Sequence, residues 1–207
     1  MRNVLFVSSS LMGENSKSRQ VGAEIVSRVA GPRAKVVERH LTPDNIPHLT
    51  LETLGALGAA ADQRTPAQTA AVQFADGIIE EVEAADVIVI GAPMYNFSVS
   101  STLKAWFDHV ARAGRTFKYT ANGPEGLLKG KKIYVVASRG GYYTGESPAR
   151  VMDFQEPYIR GFWSFLGVTD MNFVYVEGQA IGAEAAAKGV ADAIAAVTKL
   201  EPAALAA

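Results

Sequence analysis

The chain has 207 residues, 48% of them hydrophobic and 20% charged, a size and balance that suit one α/β domain with a sizeable core. Lys and Arg together number 20 against 21 Asp and Glu, so there is no basic excess to attract a nucleic acid or an anionic membrane. The absence of cysteine excludes disulfides, thiolate nucleophiles, iron–sulfur clusters and Cys-built zinc sites, and three histidines at 40, 48 and 109 are too scattered for a His-built metal cluster.

Val4, Leu5, Phe6 and Val7 make a short apolar run ended by Ser8-Ser9-Ser10, the pattern of a strand buried on both faces. Beyond a polar loop, Val21, Ile25 and Val29 recur at i, i+4 and i+8 and predict an amphipathic helix, which Gly31-Pro32 ends. A second strand is predicted over 35–41. Residues 42–64 read as a long irregular stretch that includes the Leu/Gly/Ala-rich segment 51–61. Thr65-Pro66-Ala67-Gln68 then supplies an N-cap, a proline at the first helical position and a glutamine at the third, with Val72, Ala75, Ile79 and Val82 as the buried stripe.

Residues 86–90 form the strongest strand, and Gly91-Ala92-Pro93 stops it. A helix from about Ser101 carries Leu103, Trp106, Phe107 and Val110 on one face, with Gly114 as its stop. A Gly- and Lys-rich connection, 116–131, leads to a strand over 132–137. Ser147-Pro148 is expected to cap a helix running to about 166, followed by a last strand at 173–176 and an Ala-rich helix at 182–200. Residues 201–207 are expected to fray.

Five strands thus alternate with five helices, with no linker and no repeat, in a single domain spanning 1–207. The βα order implies a parallel sheet covered on both faces: an α/β, three-layer, doubly wound five-stranded architecture. The apolar stretch after Arg2 is too short for a signal sequence, and no run approaches the roughly 20 residues of a membrane span. A soluble, cytoplasmic protein is the expectation.

In such a sheet a ligand sits beyond the carboxyl ends of the strands, where the strand order reverses. Three post-strand loops fall there. The first, residues 8–18, runs into a helix N-terminus, where free N–H groups and the helix dipole favour an anion; Ser10, Ser16 and Ser18 add hydroxyls and Lys17 a charge. It lacks G-x-G-x-x-G and G-x-x-x-x-G-K-[ST], which leaves one terminal phosphate as the fitting ligand, against the plainer reading of a serine cap and a polar turn. The second, Ala92-Pro93-Met94-Tyr95-Asn96-Phe97, places a methionine and two aromatics after a buried strand. They could pack on a planar ring whose edge takes N–H groups of Asn96 and Phe97, or simply plug the next helix against the sheet. The third, Ser138-Arg139-Gly140-Gly141, has paired glycines that either admit a close backbone approach or form a turn.

At these loops the sequence closely resembles the FMN-dependent NADH:quinone oxidoreductase and NADH-azoreductase family of flavodoxin-like proteins. The likeness runs almost end to end. It includes Leu103-Lys104 before an aromatic pair, Phe117-Lys118-Tyr119-Thr120 with Asn122-Gly123-Pro124-Glu125-Gly126, and 165–170. The resemblance implies one FMN per subunit, a homodimer with active sites at its interface, and ping-pong transfer from NADH or NADPH to quinone, azo or nitroaromatic acceptors. It implies that Ser10, Ser16, Lys17 and Ser18 hold the phosphate, that Met94, Tyr95, Asn96 and Phe97 line the ring, and that Ser138, Arg139, Gly140 and Gly141 meet its other polar edge. Tyr119 and Phe162 become candidates for the substrate wall, with ordinary helix core as the alternative for Phe162. His109 reads as an interface or surface residue. No side chain is assigned as an obligatory catalyst and none as a metal ligand, because the hydride chemistry belongs to the flavin.

Three other functions compete. A serine hydrolase lacks its G-x-S-x-G elbow and a placed His–carboxylate pair. A flavodoxin that only carries electrons would be strongly acidic, whereas this chain carries −1. An NADPH:FMN reductase of the same fold differs in whether flavin stays bound through turnover.

Overall fold

The computed structural model describes residues 2–201. The predicted fraying of 201–207 falls, from 202 onward, outside the described residues. The elements in chain order are β1 (Asn3–Ser8), α1 (Lys17–Ala30), β2 (Lys35–His40), α2 (Leu51–Gly58), α3 (Pro66–Ala84), β3 (Val87–Pro93), α4 (Ser101–Val110), β4 (Phe117–Thr120), β5 (Gly123–Gly126), β6 (Lys132–Ser138), α5 (Gln155–Phe165), β7 (Asp170–Val176) and α6 (Ala183–Thr198).

Strands β2-β1-β3-β6-β7 form one parallel sheet in that spatial order, so the chain reverses direction across the sheet between β1 and β3. The twofold period of a strand sorts its side chains into two cores. Leu5, Val7, Ile88, Ile90, Ile133 and Val135 pack with Leu103, Trp106, Phe107 and Trp163 on the face covered by α3, α4 and α5. Val4, Phe6, Val87, Val89, Tyr134 and Val136 pack with Val21, Ile25, Val29 and Val197 beneath α1 and α6. Every residue of β3, the central strand, is buried.

Two predicted helix starts are confirmed in detail. Thr65 and Gln68 form a reciprocal capping box with Pro66 in the first turn of α3, and Ser100 accepts the Leu103 N–H at the start of α4. The expected long helix from Ser147 is instead broken. Ser147 caps only a short 3₁₀ turn, Pro148–Met152, and Asp153 Oδ1 then accepts the N–H groups of Gln155 and Glu156 to start α5. Pro157 explains the break, since its ring would collide with the carbonyl four residues earlier in a continuous helix.

Within 42–64, read as irregular, lies α2, capped by a Thr50–Thr53 box. The 116–131 connection holds the antiparallel hairpin β4–β5. That hairpin docks through a backbone-to-backbone approach of Gly126 on Gly167, which any side chain at 126 would prevent. His109 is buried rather than exposed. Its Nε2 lies 2.8 Å from the Pro47 carbonyl, which can only accept, so the proton is on Nε2 and the ring fastens the 42–50 segment to α4. Among the described residues Nδ1 is left buried without a partner.

Burial, outweighing the Pro47 bond and Asp108, holds the His109 pKa below its usual value of 6.5. The unfolded chain therefore binds this proton at a higher pH than the folded one does, and stability that is complete above about pH 6.5 declines as the pH falls below it. Urea midpoints measured from about pH 8 to pH 5 are expected to show that decline, and His109→Gln, which keeps an N–H donor for Pro47, to flatten it. An identical slope in the variant would show that another group titrates.

Candidate functional site

The site is assembled at the carboxyl edge of the sheet, and its position follows from Gly91 near the end of β3. The Gly91 carbonyl accepts both the N–H and the hydroxyl of Ser9, at 3.2 Å each, and so carries the β1–β3 pairing one residue past the end of β1. A Cβ built on Gly91 would lie 3.2 Å from the Ser18 carbonyl oxygen, so the absent side chain lets the first turn of α1 rest on the strand end. Ser16 caps that helix: its Oγ accepts the Arg19 N–H at 3.1 Å and lies 3.2 Å from Ser18 Oγ. The two hydroxyls share one proton between them, which leaves the other O–H free to donate. Ser10, Ser16 and Ser18 are all buried. Beside them stand the unpaired N–H groups that open any helix. Lys17 is exposed, and its Nζ turns to Gln20 Oε1 at 3.1 Å.

The second loop contains an unusual turn. Tyr95 and Ser98 exchange backbone hydrogen bonds of 2.9 and 3.1 Å around Asn96 and Phe97, whose φ angles are +47° and +72°. Both central residues are left-handed, which is a type I′ turn, and a phenylalanine stands where glycine is favoured. Such a conformation stores about 1–3 kcal/mol and persists only where its surroundings over-determine it. Here they do. The Phe154 N–H donates to the Phe97 carbonyl at 3.0 Å, the Tyr95 hydroxyl accepts the Leu11 N–H at 3.1 Å, and the Phe97 ring meets Tyr143 edge-on at 6.4 Å. Among the described residues the Asn96 and Phe97 N–H groups have no protein acceptor.

The third loop follows β6. The carbonyls of Arg139, Gly140 and Gly141 accept from the N–H groups of Gln179, Ala180 and Gly178, while the Gly140 and Gly141 amides find no protein acceptor among the described residues. The Arg139 side chain is fully buried and faces away from solvent. Its Nε donates to Gln155 Oε1 at 3.0 Å, Nη2 to Asp153 at 2.8 Å and Nη1 to Glu177 at 3.2 Å. Glu177 in turn accepts the Tyr143 N–H and the Thr144 hydroxyl. What Arg139 offers the crevice is its main chain, since its charge is spent on two carboxylates.

Ser10, Ser16, Lys17, Met94, Tyr95, Ser138, Arg139 and Gly140 line one cavity of about 290 Å³. Gln179 and Asn15 share that lining and were not picked out from the sequence, where nothing ties 179 to the first loop. Ser18 lies beneath Ser16, Gly141 borders Tyr143, and Asn96 faces a second cavity of about 760 Å³ on the other side of Tyr95, with Val99, Lys104 and Tyr158. Burial and then Asp108 push the Tyr158 pKa up to about 12, so its phenol keeps its proton at neutral pH. Phe162 borders neither cavity: it stacks on Phe107 at 4.2 Å against the core, as its plainer reading had it. Tyr119 stands on β4 and is 76% exposed.

The chain matches the family model described as a flavodoxin-like fold over residues 2–200. It is 48% identical over 195 residues to a Burkholderia lata protein named FMN-dependent NADH:quinone oxidoreductase 6, covering 93% of this chain and 96% of that one. The chain belongs to the FMN-dependent NADH:quinone oxidoreductase family. A second member, from Herminiimonas arsenicoxydans, is 46% identical and aligns over 98% of this chain and all of its own. Among solved structures, the azoreductase from Bacillus anthracis strain Sterne superposes with a TM-score of 0.85 at 30% identity, over 97% of this chain and all of that one. The three loops of this family member are therefore joined to one another by main-chain and buried polar contacts.

Removing the Arg139 guanidinium would strand two carboxylates in a buried network. Arg139→Leu is expected to cost about 3–5 kcal/mol at neutral pH, measured by urea unfolding. A loss below about 1 kcal/mol would mean that water reaches the carboxylates.

Proposed function

We propose that this protein is an FMN-dependent oxidoreductase that passes electrons from NADH to quinones and azo compounds by a ping-pong mechanism. The observation that carries this reading is that the buried Ser10 and Ser16 at the head of α1 share one cavity with Met94, Tyr95, Ser138, Arg139 and Gly140, next to main-chain amides at Asn96, Phe97, Gly140 and Gly141 that have no protein acceptor among the described residues. The donor set fits the two ends of FMN. The free hydroxyl proton of the Ser16–Ser18 pair, the Ser10 hydroxyl and the first amides of α1 would hold a phosphate, as helix N-termini do. At the other end, the amides of Asn96, Phe97, Gly140 and Gly141 would hold the polar edges of a flat ring, with Met94 and Tyr95 as its apolar support.

Bound there, FMN supplies two-electron transfer between a nicotinamide and an acceptor, and the protein supplies position and electrostatics. Fixed N–H dipoles at Gly140 and Gly141 would favour negative charge at the edge they face, as an oxyanion hole does. The protonated Tyr158 and the apolar Val99 make the larger cavity hospitable to a quinone, azo or nitroaromatic compound. One open face seats donor and acceptor in turn rather than together. Tyr119, exposed on its hairpin, fits a substrate wall completed across a homodimer, and Phe162 would belong to that wall only through a second subunit.

Steady-state rates with NADH and a benzoquinone, measured on protein reconstituted with FMN, are expected to give parallel double-reciprocal lines. Intersecting lines would contradict alternate occupancy of one pocket. A protein that takes up no FMN would contradict the assignment itself.

A further inference from the structure

The first residues of α5 occupy a position that neither the fold nor the crevice explains by itself. The side chain of Gln155 is fully buried. Its Nε2 donates to the carbonyl of Ala92 at 3.0 Å, two residues before the loop that carries the left-handed turn. Its Oε1 accepts from Arg139 Nε at 3.0 Å, at the root of the glycine loop. Ala92 and Arg139 belong to different strand ends, and the one carboxamide spans both.

The two contacts fix the chemistry of the side chain. A carbonyl can only accept and a guanidinium can only donate, so the bridging group must offer one donor and one acceptor. An amide does, whereas a carboxylate or an aliphatic group of the same length fails at one end or at both. Immediately before it, the Phe154 N–H holds the Phe97 carbonyl, and Asp153 holds both Arg139 Nη2 and the α5 amides. Residues 153–155 thus touch both loops that carry the amides without a protein acceptor, while Gln155 itself lines neither the 290 Å³ cavity nor the 760 Å³ one.

We infer that Gln155 is a positioning residue that sets the separation between the Asn96–Phe97 amides and the Gly140–Gly141 amides, and with it the grip on the isoalloxazine ring. The inference rests on the flavin reading above. The seat at Ser16 and Ser18 lies on α1, outside this bridge, so a change at 155 acts on the ring end and not on the phosphate end. Misplacing recognition groups by about 1 Å is enough to lose one to two orders of magnitude.

The test is a fluorescence titration of apoprotein with FMN and, separately, with riboflavin, for the wild type, Gln155→Leu and Gln155→Glu. It is followed by the midpoint potential of the bound flavin. Both variants are expected to bind FMN and riboflavin about tenfold or more weakly, by the same factor for each ligand, with a shifted potential. Gln155→Glu keeps an acceptor for Arg139 but sets a carboxylate oxygen against the Ala92 carbonyl in place of the donor, so it decides the matter if Gln155→Leu does not fold. Wild-type affinities and potential in a folded variant, even one of lowered urea midpoint, would overturn the positioning role. So would a loss confined to FMN. Failure of the wild type itself to bind either ligand would overturn the flavin reading instead.

Discussion

The near-contact between Gly91 and the Ser18 carbonyl decides where the helix dipole of α1 ends. With a side chain at 91, α1 and its capping serines would have to lift from the strand by a few tenths of an ångström. With glycine there, the N-terminus of α1 is brought against the carboxyl end of β3, and the same residue's carbonyl holds Ser9 beside that strand end. A helix N-terminus with unpaired N–H groups therefore stands at the point where strand order reverses, before any ligand-specific side chain is considered. The other two loops complete a pocket around a position already fixed.

Those loops are held by polar contacts rather than by apolar packing. Arg139 is buried with Asp153, Glu177 and Gln155, and the arrangement stabilises only as a unit, because any partner removed leaves a charge or a donor without compensation. Its effect is geometric. It ties α5 and β7 to the glycine loop, and through the Phe154 N–H it also restrains a turn that phenylalanine would not adopt unaided. Strain at Phe97 and a costly buried ion network occur together, at the end of the sheet where a flat ligand would need rigid walls.

Much of this was legible in the sequence. Apolar runs marked the strands of the sheet interior, and Thr65-Pro66 announced its helix because local capping chemistry is written locally. Three features were not. Helix α2 contains Gly55 and Gly58 and buries only Ala56, so it has no periodic stripe to read. The β5 strand is Gly-Pro-Glu-Gly, a composition that argues against any strand. The break before α5 depends on Asp153 acting as a second cap five residues after Pro148.

The loops were legible as a set, and the role of one residue was not. The resemblance sets Arg139 at a ring's polar edge, yet its side-chain partners lie 14, 16 and 38 residues away and no spacing rule connects them. His109 likewise reads as an interface or surface residue, until Pro47 is brought across to it from 62 residues upstream. The measurement that bears most directly on the whole account compares FMN with riboflavin binding in the wild type and in Ser16→Ala with Ser18→Ala. The account predicts that the wild type prefers FMN by about 100-fold and that the double variant loses most of that preference while holding riboflavin as before. Equal losses for the two ligands, or no preference in the wild type, would contradict a phosphate seated at the head of α1.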